Sequence, residues 1–169
     1  AYASIARGFK SGVFNDSTTP VASHASGTLL ADPEFLLSYE IGVKGAWADQ
    51  RVNINAALFY MDWEDMQFRL WCETCGTLGR GSNILANAGQ MTSKGIEIEL
   101  TARPTNHLTF NLGVGFLDAE YGQLNGVTSS RPVERGGQGT IDGSGNRPAM
   151  APEWTFNASV VHEVPFMGG

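Results

Sequence analysis

Positive charge is scarce in this chain of 169 residues: 11 Lys+Arg stand against 17 Asp+Glu, a formal net charge of −6. Nucleic-acid binding wants a basic face, so no nucleic-acid partner is expected. Charge of either sign is thin, at 17% of residues against about 25% in ordinary soluble domains. No apolar run approaches the roughly 18 residues of a membrane-spanning helix, and no charged-then-apolar stretch reads as a secretory signal. Helical periodicity is missing too, since no segment repeats its apolar residues with a period of about 3.6. Cysteine is limited to Cys72 and Cys75. A Cys-x-x-Cys pair can be a redox dithiol, half of a zinc site or a local disulfide. His24, His107 and His162 lie too far away in sequence to complete a zinc site, and no βαβ unit surrounds the pair as a redox motif would want. A local Cys72–Cys75 disulfide in an oxidising compartment is the favoured reading, an inert thiol pair the alternative, and no metal or cofactor is expected.

What is abundant is glycine, with 21 residues, and strict alternation. Period two marks five strong strands. One face carries Tyr39, Ile41, Val43, Gly45 and Trp47, against Glu40, Gly42, Lys44 and Ala46 on the other. The pattern repeats as Val52, Ile54, Ala56, Leu58, Tyr60 against Asn53, Asn55, Ala57, Phe59, Met61. Ile96, Ile98, Leu100 and Ala102 oppose Gly95, Glu97, Glu99 and Thr101. Leu108, Phe110, Leu112, Val114 and Phe116 oppose Thr109, Asn111, Gly113, Gly115 and Leu117. Trp154, Phe156, Ala158, Val160 and His162 oppose Thr155, Asn157, Ser159, Val161 and Glu163. Tyr2 to Phe9 forms a sixth strand whose two faces the sequence does not separate.

The connections alternate in length. Ala48–Arg51 and a turn around Arg103–Asn106 are short, while about Lys10–Pro33, Glu64–Gln90 and Gly122–Ala151 are long. Short turns on one side of a meander and long loops on the other are the connectivity of an outer-membrane barrel. The apolar rails step from 39 to 47, 52 to 60, 108 to 116 and 154 to 162. Each spans roughly 26 Å along the strand, about 20 Å after tilting, against an expected lipid band of about 25 Å. Tyr39, Trp47, Tyr60, Phe110, Phe116 and Trp154 sit towards the rail ends, where rings with a polar edge favour the headgroup level. The opposite face holds mostly Asn, Thr, Ser and Gly, which suits a wet lumen better than the open polar face of a soluble β-sandwich. Lys94 continues the apolar parity and would have to snorkel to the interface; His162 poses a milder form of the same problem.

Six strands do not close a barrel, for which about eight are the minimum, and an open edge in lipid leaves backbone groups unpaired at several kcal/mol each. The predicted fold class is therefore all-β: an antiparallel up-and-down transmembrane β-barrel of which this chain supplies about six strands.

Tyr2-Ala3-Ser4-Ile5-Ala6-Arg7-Gly8-Phe9-Lys10-Ser11-Gly12-Val13-Phe14-Asn15 resembles a strand-and-loop segment of TonB-dependent outer-membrane receptors. Tyr39-Glu40-Ile41-Gly42-Val43-Lys44, Ala57–Trp63, Gly95-Ile96-Glu97-Ile98-Glu99-Leu100 and Arg147–Trp154 are similar to later segments of the same barrels, in the same order. The resemblance implies a barrel of about 22 strands closed by an N-terminal plug, taking up a ferric siderophore, haem, cobalamin or another scarce ligand. It also implies energy from the TonB complex of the inner membrane, delivered through a motif ahead of the plug. The plug, that motif and a last strand ending in an aromatic residue are not found here, so residues 1–169 are expected to be part of the C-terminal barrel domain. Phe-Arg-Ala-Pro and Asn-Pro-Asn-Leu, the haem-receptor signatures, are also missing, which favours an iron chelate of siderophore type.

Catalysis is not expected. Asp62, Glu64 and Asp65, and Asp118 with Glu120, are read as the solvated rim of a barrel rather than acid–base or Ca²⁺ pairs. Gly136-Gly137-Gln138-Gly139 lacks the Lys-Ser/Thr of a phosphate cradle. Ligand capture falls to the long loops, where Arg69, Arg80, Arg131, Arg135 and Arg147 offer guanidinium forks for an anionic chelate and Phe68 and Trp71 offer stacking surfaces. Solvated loop charges or contacts to lipopolysaccharide phosphates are the competing account of these arginines. Glu40, Lys44, Glu97, Glu99, Asn53, Asn55 and Asn111 should face the lumen, the charged ones pairing with the plug or one another. Tyr39, Ile41, Val43, Trp47, Val52, Ile54, Leu58, Tyr60, Ile96, Ile98, Leu100, Phe110, Leu112, Val114, Phe116, Trp154, Phe156 and Val160 should face lipid. The expected partners are outer-membrane lipid and lipopolysaccharide, the TonB complex and the ligand. The alternatives are a passive porin-like barrel and a soluble β-sandwich binding protein.

Overall fold

The computed structural model describes residues 1–15, 30–72, 82–124, 127–128 and 140–164. The strands are β1 (Tyr2–Lys10), β2 (Val13–Phe14), β3 (Leu30–Ala31), β4 (Glu34–Trp47), β5 (Val52–Cys72), β6 (Ser82–Thr105), β7 (Leu108–Leu124), β8 (Val127–Thr128), β9 (Thr140–Ile141) and β10 (Trp154–His162). Six of them form one sheet in the order β1-β4-β5-β6-β7-β10, every neighbouring pair antiparallel. The two-residue pairs β2/β3 and β8/β9 form separate short ladders. This is the up-and-down meander expected from the alternation, open at β1 and β10.

Register lines up the apolar rails into rows across the sheet. Ala3, Ile41, Leu58, Ile96, Phe116 and Trp154 form one row, and Val43, Ala56, Ile98, Val114 and Phe156 the next. The same register settles β1: Ala3, Ile5, Arg7 and Phe9 share the apolar face, and Tyr2, Ser4, Ala6, Gly8 and Lys10 the polar one. No second layer covers the apolar face among the described residues; Ile41 is 56% exposed and Phe156 69%. A sandwich would bury those side chains in its core, so that alternative fails. Among the described residues the buried apolar ones are instead Ala31, Met66, Ile84, Ala119 and Leu124, all beyond the rails.

The belt has defined borders. At one end Tyr39 and Tyr60, with ring centroids 6.4 Å apart, stand in a row with Lys94 and Asp118. The Lys94 ammonium lies 3.2 Å from the Asp118 carboxylate, which answers the misfit noted above: both charges share the apolar parity and neutralise one another at its border. The next row along, Leu37, Asp62, Thr92 and Glu120, is polar at every position but Leu37. At the other end Trp47, Val52, Ala102, Phe110 and Val160 abut the short turns.

Three expectations need correction. The segment 64–90 is not one long loop, because β5 runs on to Cys72 and β6 begins at Ser82. The cause lies in a bulge between Trp63 and Met66, where Asp65 adopts a φ of 54°. Extra residues in one strand flip its faces, so the period-two signal lost phase there. Asp62, Glu64 and Asp65 consequently lie within β5 rather than at its end. The turn near Arg103 is also tighter than expected, with β6 continuing to Thr105 through a register shift. Arg51 secures that end, its guanidinium donating to the Pro104 carbonyl at 3.1 Å.

Where β10 stops covering β7, an irregular segment takes over. Gly143 and Gly145 donate to the carbonyls of Leu124 and Tyr121, both at 2.7 Å, and Tyr121 donates to Asn146 at 3.0 Å. Ser144 presents its hydroxyl to the Leu124 N–H at 2.9 Å. The Ser144 hydroxyl and backbone N–H also hold the Asp142 carboxyl below its ordinary pKa. Arg147 braces the junction, donating to the Leu117 carbonyl at 2.6 Å and pairing with Glu153 at 3.1 Å. An edge that would otherwise expose a row of unpaired backbone groups is thereby satisfied.

Candidate functional site

Strand alternation puts every second side chain of the six-stranded sheet onto its polar face, and register brings them into contact. Tyr2 donates its hydroxyl to Glu40 at 2.6 Å. The Lys44 ammonium stands 5.3 Å from the centre of the same ring. Gly42, directly opposite Tyr2, makes the room: a Cβ there would lie 2.6 Å from the ring. Further along, Asn55 donates to Glu99 at 3.3 Å, Thr101 to Asn111 at 3.0 Å, and Asn111 to Ser159 at 3.1 Å. A groove of about 150 Å³ runs among Tyr2, Glu40, Lys44, Asn55, Glu97 and Glu99. Three carboxylates and one ammonium line it, and none of the four forms an ion pair among the described residues. Carboxylates outnumber the ammonium among its lining residues, so its formal charge is negative and suits a partner that brings cations.

Glu40, Lys44, Glu97, Glu99, Asn53, Asn55 and Asn111 therefore share one face. Sequence reasoning missed Tyr2, because the faces of β1 carry no clear alternation. A larger hollow of about 400 Å³ lies on the apolar face around Ala56, between Val43, Leu58 and Ile98. It is a dent in the belt and presents almost no polar atoms, so the chemistry lies on the other face.

The second part of the site is the end away from the short turns. Phe68 and Arg69 belong to β5, not to a loop, and as consecutive strand residues they point to opposite faces. The Phe68 ring packs edge-on against Tyr121 at 6.0 Å, over Gly89 and beside Leu124. The structure therefore does not bring Phe68 and Arg69 together as one clamp, and Arg147 is engaged by Leu117 and Glu153. Trp71 lies near the end of β5. The Trp71 side chain, Arg80, Arg131 and Arg135 lie outside the described residues, as does the Cys72–Cys75 bond. A hollow of about 340 Å³ at this end is lined by Asp65, Leu70, Asn87, Gln90 and Gln123 among others. Carboxamides, not arginines, dominate the polar groups there.

Among families of known proteins, the one described as TonB dependent receptor-like, beta-barrel, matches residues 1–166. Among solved structures, the chain is similar to the ferric yersiniabactin uptake receptor FyuA from Yersinia pestis. The identity is 21% over 94% of this chain and 20% of that one, with a TM-score of 0.61. It is similar as well to the siderophore receptor PiuA from Acinetobacter baumannii, at 21% identity over 84% of this chain and 18% of that one, with a TM-score of 0.58. At such identity the likeness is one of fold, and the chain spans about a fifth of the length of either structure.

Proposed function

Because the chain belongs to the family of TonB-dependent receptor β-barrels, which are proteins of the bacterial outer membrane, we propose that it is part of the barrel wall of an active uptake receptor for a scarce ligand, in the first place a ferric siderophore. One observation carries the reading: a single-layered sheet with an apolar belt left uncovered on one face and a hydrogen-bonded polar ladder on the other. The belt residues, from Tyr39 to Val160, face lipid and the lipopolysaccharide leaflet. The polar ladder faces the lumen, which a plug outside these residues fills and through which the TonB complex acts. The remaining strands of the barrel pair with β1 and β10, satisfying the two open edges.

The ligand is captured at the end away from the short turns, with Arg69, Arg80, Arg131 and Arg135 as candidate clamps and Trp71 as a candidate stacking surface. Phe68 is a weaker candidate because its ring is already packed. Of the similar solved structures, one is by name a ferric yersiniabactin uptake receptor and another a siderophore receptor, which supports an iron chelate over haem. The test is uptake of a radioactive ferric chelate by cells carrying the full-length receptor, with Arg131 and Arg135 changed to Ala. The expected result is TonB-dependent uptake in the wild type and at least about tenfold weaker binding in the double variant, the scale of a lost charge-assisted pair. Uptake that persists without TonB would favour a passive porin; unchanged affinity would remove the two arginines from the site.

The negative groove makes a second prediction. Glu97→Gln with Glu99→Gln is expected to weaken the seating of the plug, seen as increased antibiotic influx at unchanged receptor abundance. Altered ligand choice with an intact permeability barrier would contradict that role.

A further inference from the structure

At the end away from the short turns, four side chains outside the polar ladder bind backbone rather than each other. Asn15 and Leu85, 70 residues apart, exchange two bonds: Asn15 Nδ2 donates to the Leu85 carbonyl at 2.9 Å, and the Leu85 N–H donates to Asn15 Oδ1 at 2.7 Å. Asn87 does the same with Asp32, donating to its carbonyl at 2.9 Å and accepting from its N–H at 2.7 Å. Asn87 Nδ2 also donates to the Asp65 carbonyl at 2.6 Å, at the bulge. Gln67 Nε2 donates to the carbonyls of Ser11 and Asp32, at 3.0 and 2.9 Å. Both acceptors are carbonyls, so the orientation of the Gln67 amide is fixed. The Gln67 N–H donates to the carboxylate of Glu34 at 2.7 Å, and Lys10 lies 3.6 Å from that carboxylate. A carboxamide carries a donor and an acceptor in the geometry of a peptide group, and here each asparagine stands where a neighbouring strand would.

We propose that Asn15, Gln67 and Asn87 form a latch that ties the described ends of the first long connection, residues 11–15 and 30–33, to the β5–β6 hairpin, so that the two elements rise above the sheet as one body. Asn87 is the centre of the latch because its carboxamide bonds both the connection, at Asp32, and the bulge, at Asp65. Under the uptake function proposed above, on which this consequence rests, the latch fixes the position of Arg69 and Trp71 relative to the first connection before ligand arrives, and the three residues are positioning residues.

Hydrogen exchange of the full-length receptor in outer-membrane vesicles tests the latch without any ligand. Asn87→Asp keeps the shape but removes both Nδ2 donations and sets a carboxylate against two carbonyls. Exchange over residues 30–33 and around Asp65 is expected to accelerate by about tenfold, with the belt amides of 52–60 unchanged. Asn15→Asp is the second variant, expected to accelerate exchange at Leu85 while 30–33, still held by Asn87 and Gln67, stays protected. Wild-type exchange over 30–33 in Asn87→Asp would overturn the proposal, as would equal acceleration throughout the belt. A wild-type receptor that takes up no ferric chelate would overturn the proposed function and leave the exchange result standing.

Discussion

In the lipid-embedded barrel, Ile98→Arg is expected to lower folding stability by about 2–4 kcal/mol, while Asn55→Arg changes it by less than about 1 kcal/mol. Ile98 stands opposite Ala56, which stands opposite Val43, the middle position of the rail from Tyr39 to Trp47. A guanidinium there is as far from either headgroup layer as the belt allows. Asn55 lies on the other face, where it donates to Glu99 and shares a groove with Lys44 and two further carboxylates. An arginine at 55 finds counter-charges and water. Urea titration of both variants refolded into lipid vesicles makes the comparison, and equal losses would mean that the two faces are not lipid and lumen.

Gly95→Val is expected to cost about 2–3 kcal/mol, by overpacking rather than by polarity. Gly95 is buried in β6, and a Cβ there would press on the Phe59 ring and on the backbone carbonyl of Phe116. The ring can turn aside, but the carbonyl belongs to the sheet and cannot move without breaking the ladder. Gly122→Ala is the matched control: its nearest neighbour would be the Gln90 Cβ at 4.0 Å, so its effect should stay within about 0.5 kcal/mol. The shift in urea midpoint reads both, and a neutral Gly95→Val would show that β6 and β7 are less closely paired than the structure has them.

The rails were legible because a strand exposes its pattern directly: Ile41, Leu58, Leu112 and Phe156 each sit two residues from the next apolar group, and nothing interrupts them. Legibility ended where phase was lost. The bulge at Asp65 turned two long strands into an apparent loop, and with it moved Phe68 and Arg69 from a shared loop to opposite faces of β5. Lys94 looked misplaced because its partner, Asp118, is reached only across the sheet register. The amide latch left no local trace at all, since Asn15 and Leu85 meet through tertiary folding and a carboxamide in a loop reads as any other polar residue. Arg147 shows a contact that the sequence concealed: an arginine near a long connection suggested ligand, and its guanidinium is engaged by Leu117 and Glu153.

Spin-label scanning of residues 108–116 in outer-membrane vesicles, one cysteine at a time in a receptor with Cys72 and Cys75 replaced, tests the central claim most directly. Labels at 108, 110, 112, 114 and 116 should be relaxed by oxygen, which partitions into lipid, and those at 109, 111, 113 and 115 by a water-soluble nickel chelate. A scan without that two-residue alternation, or with Leu112 and Val114 shielded from both agents, would contradict it.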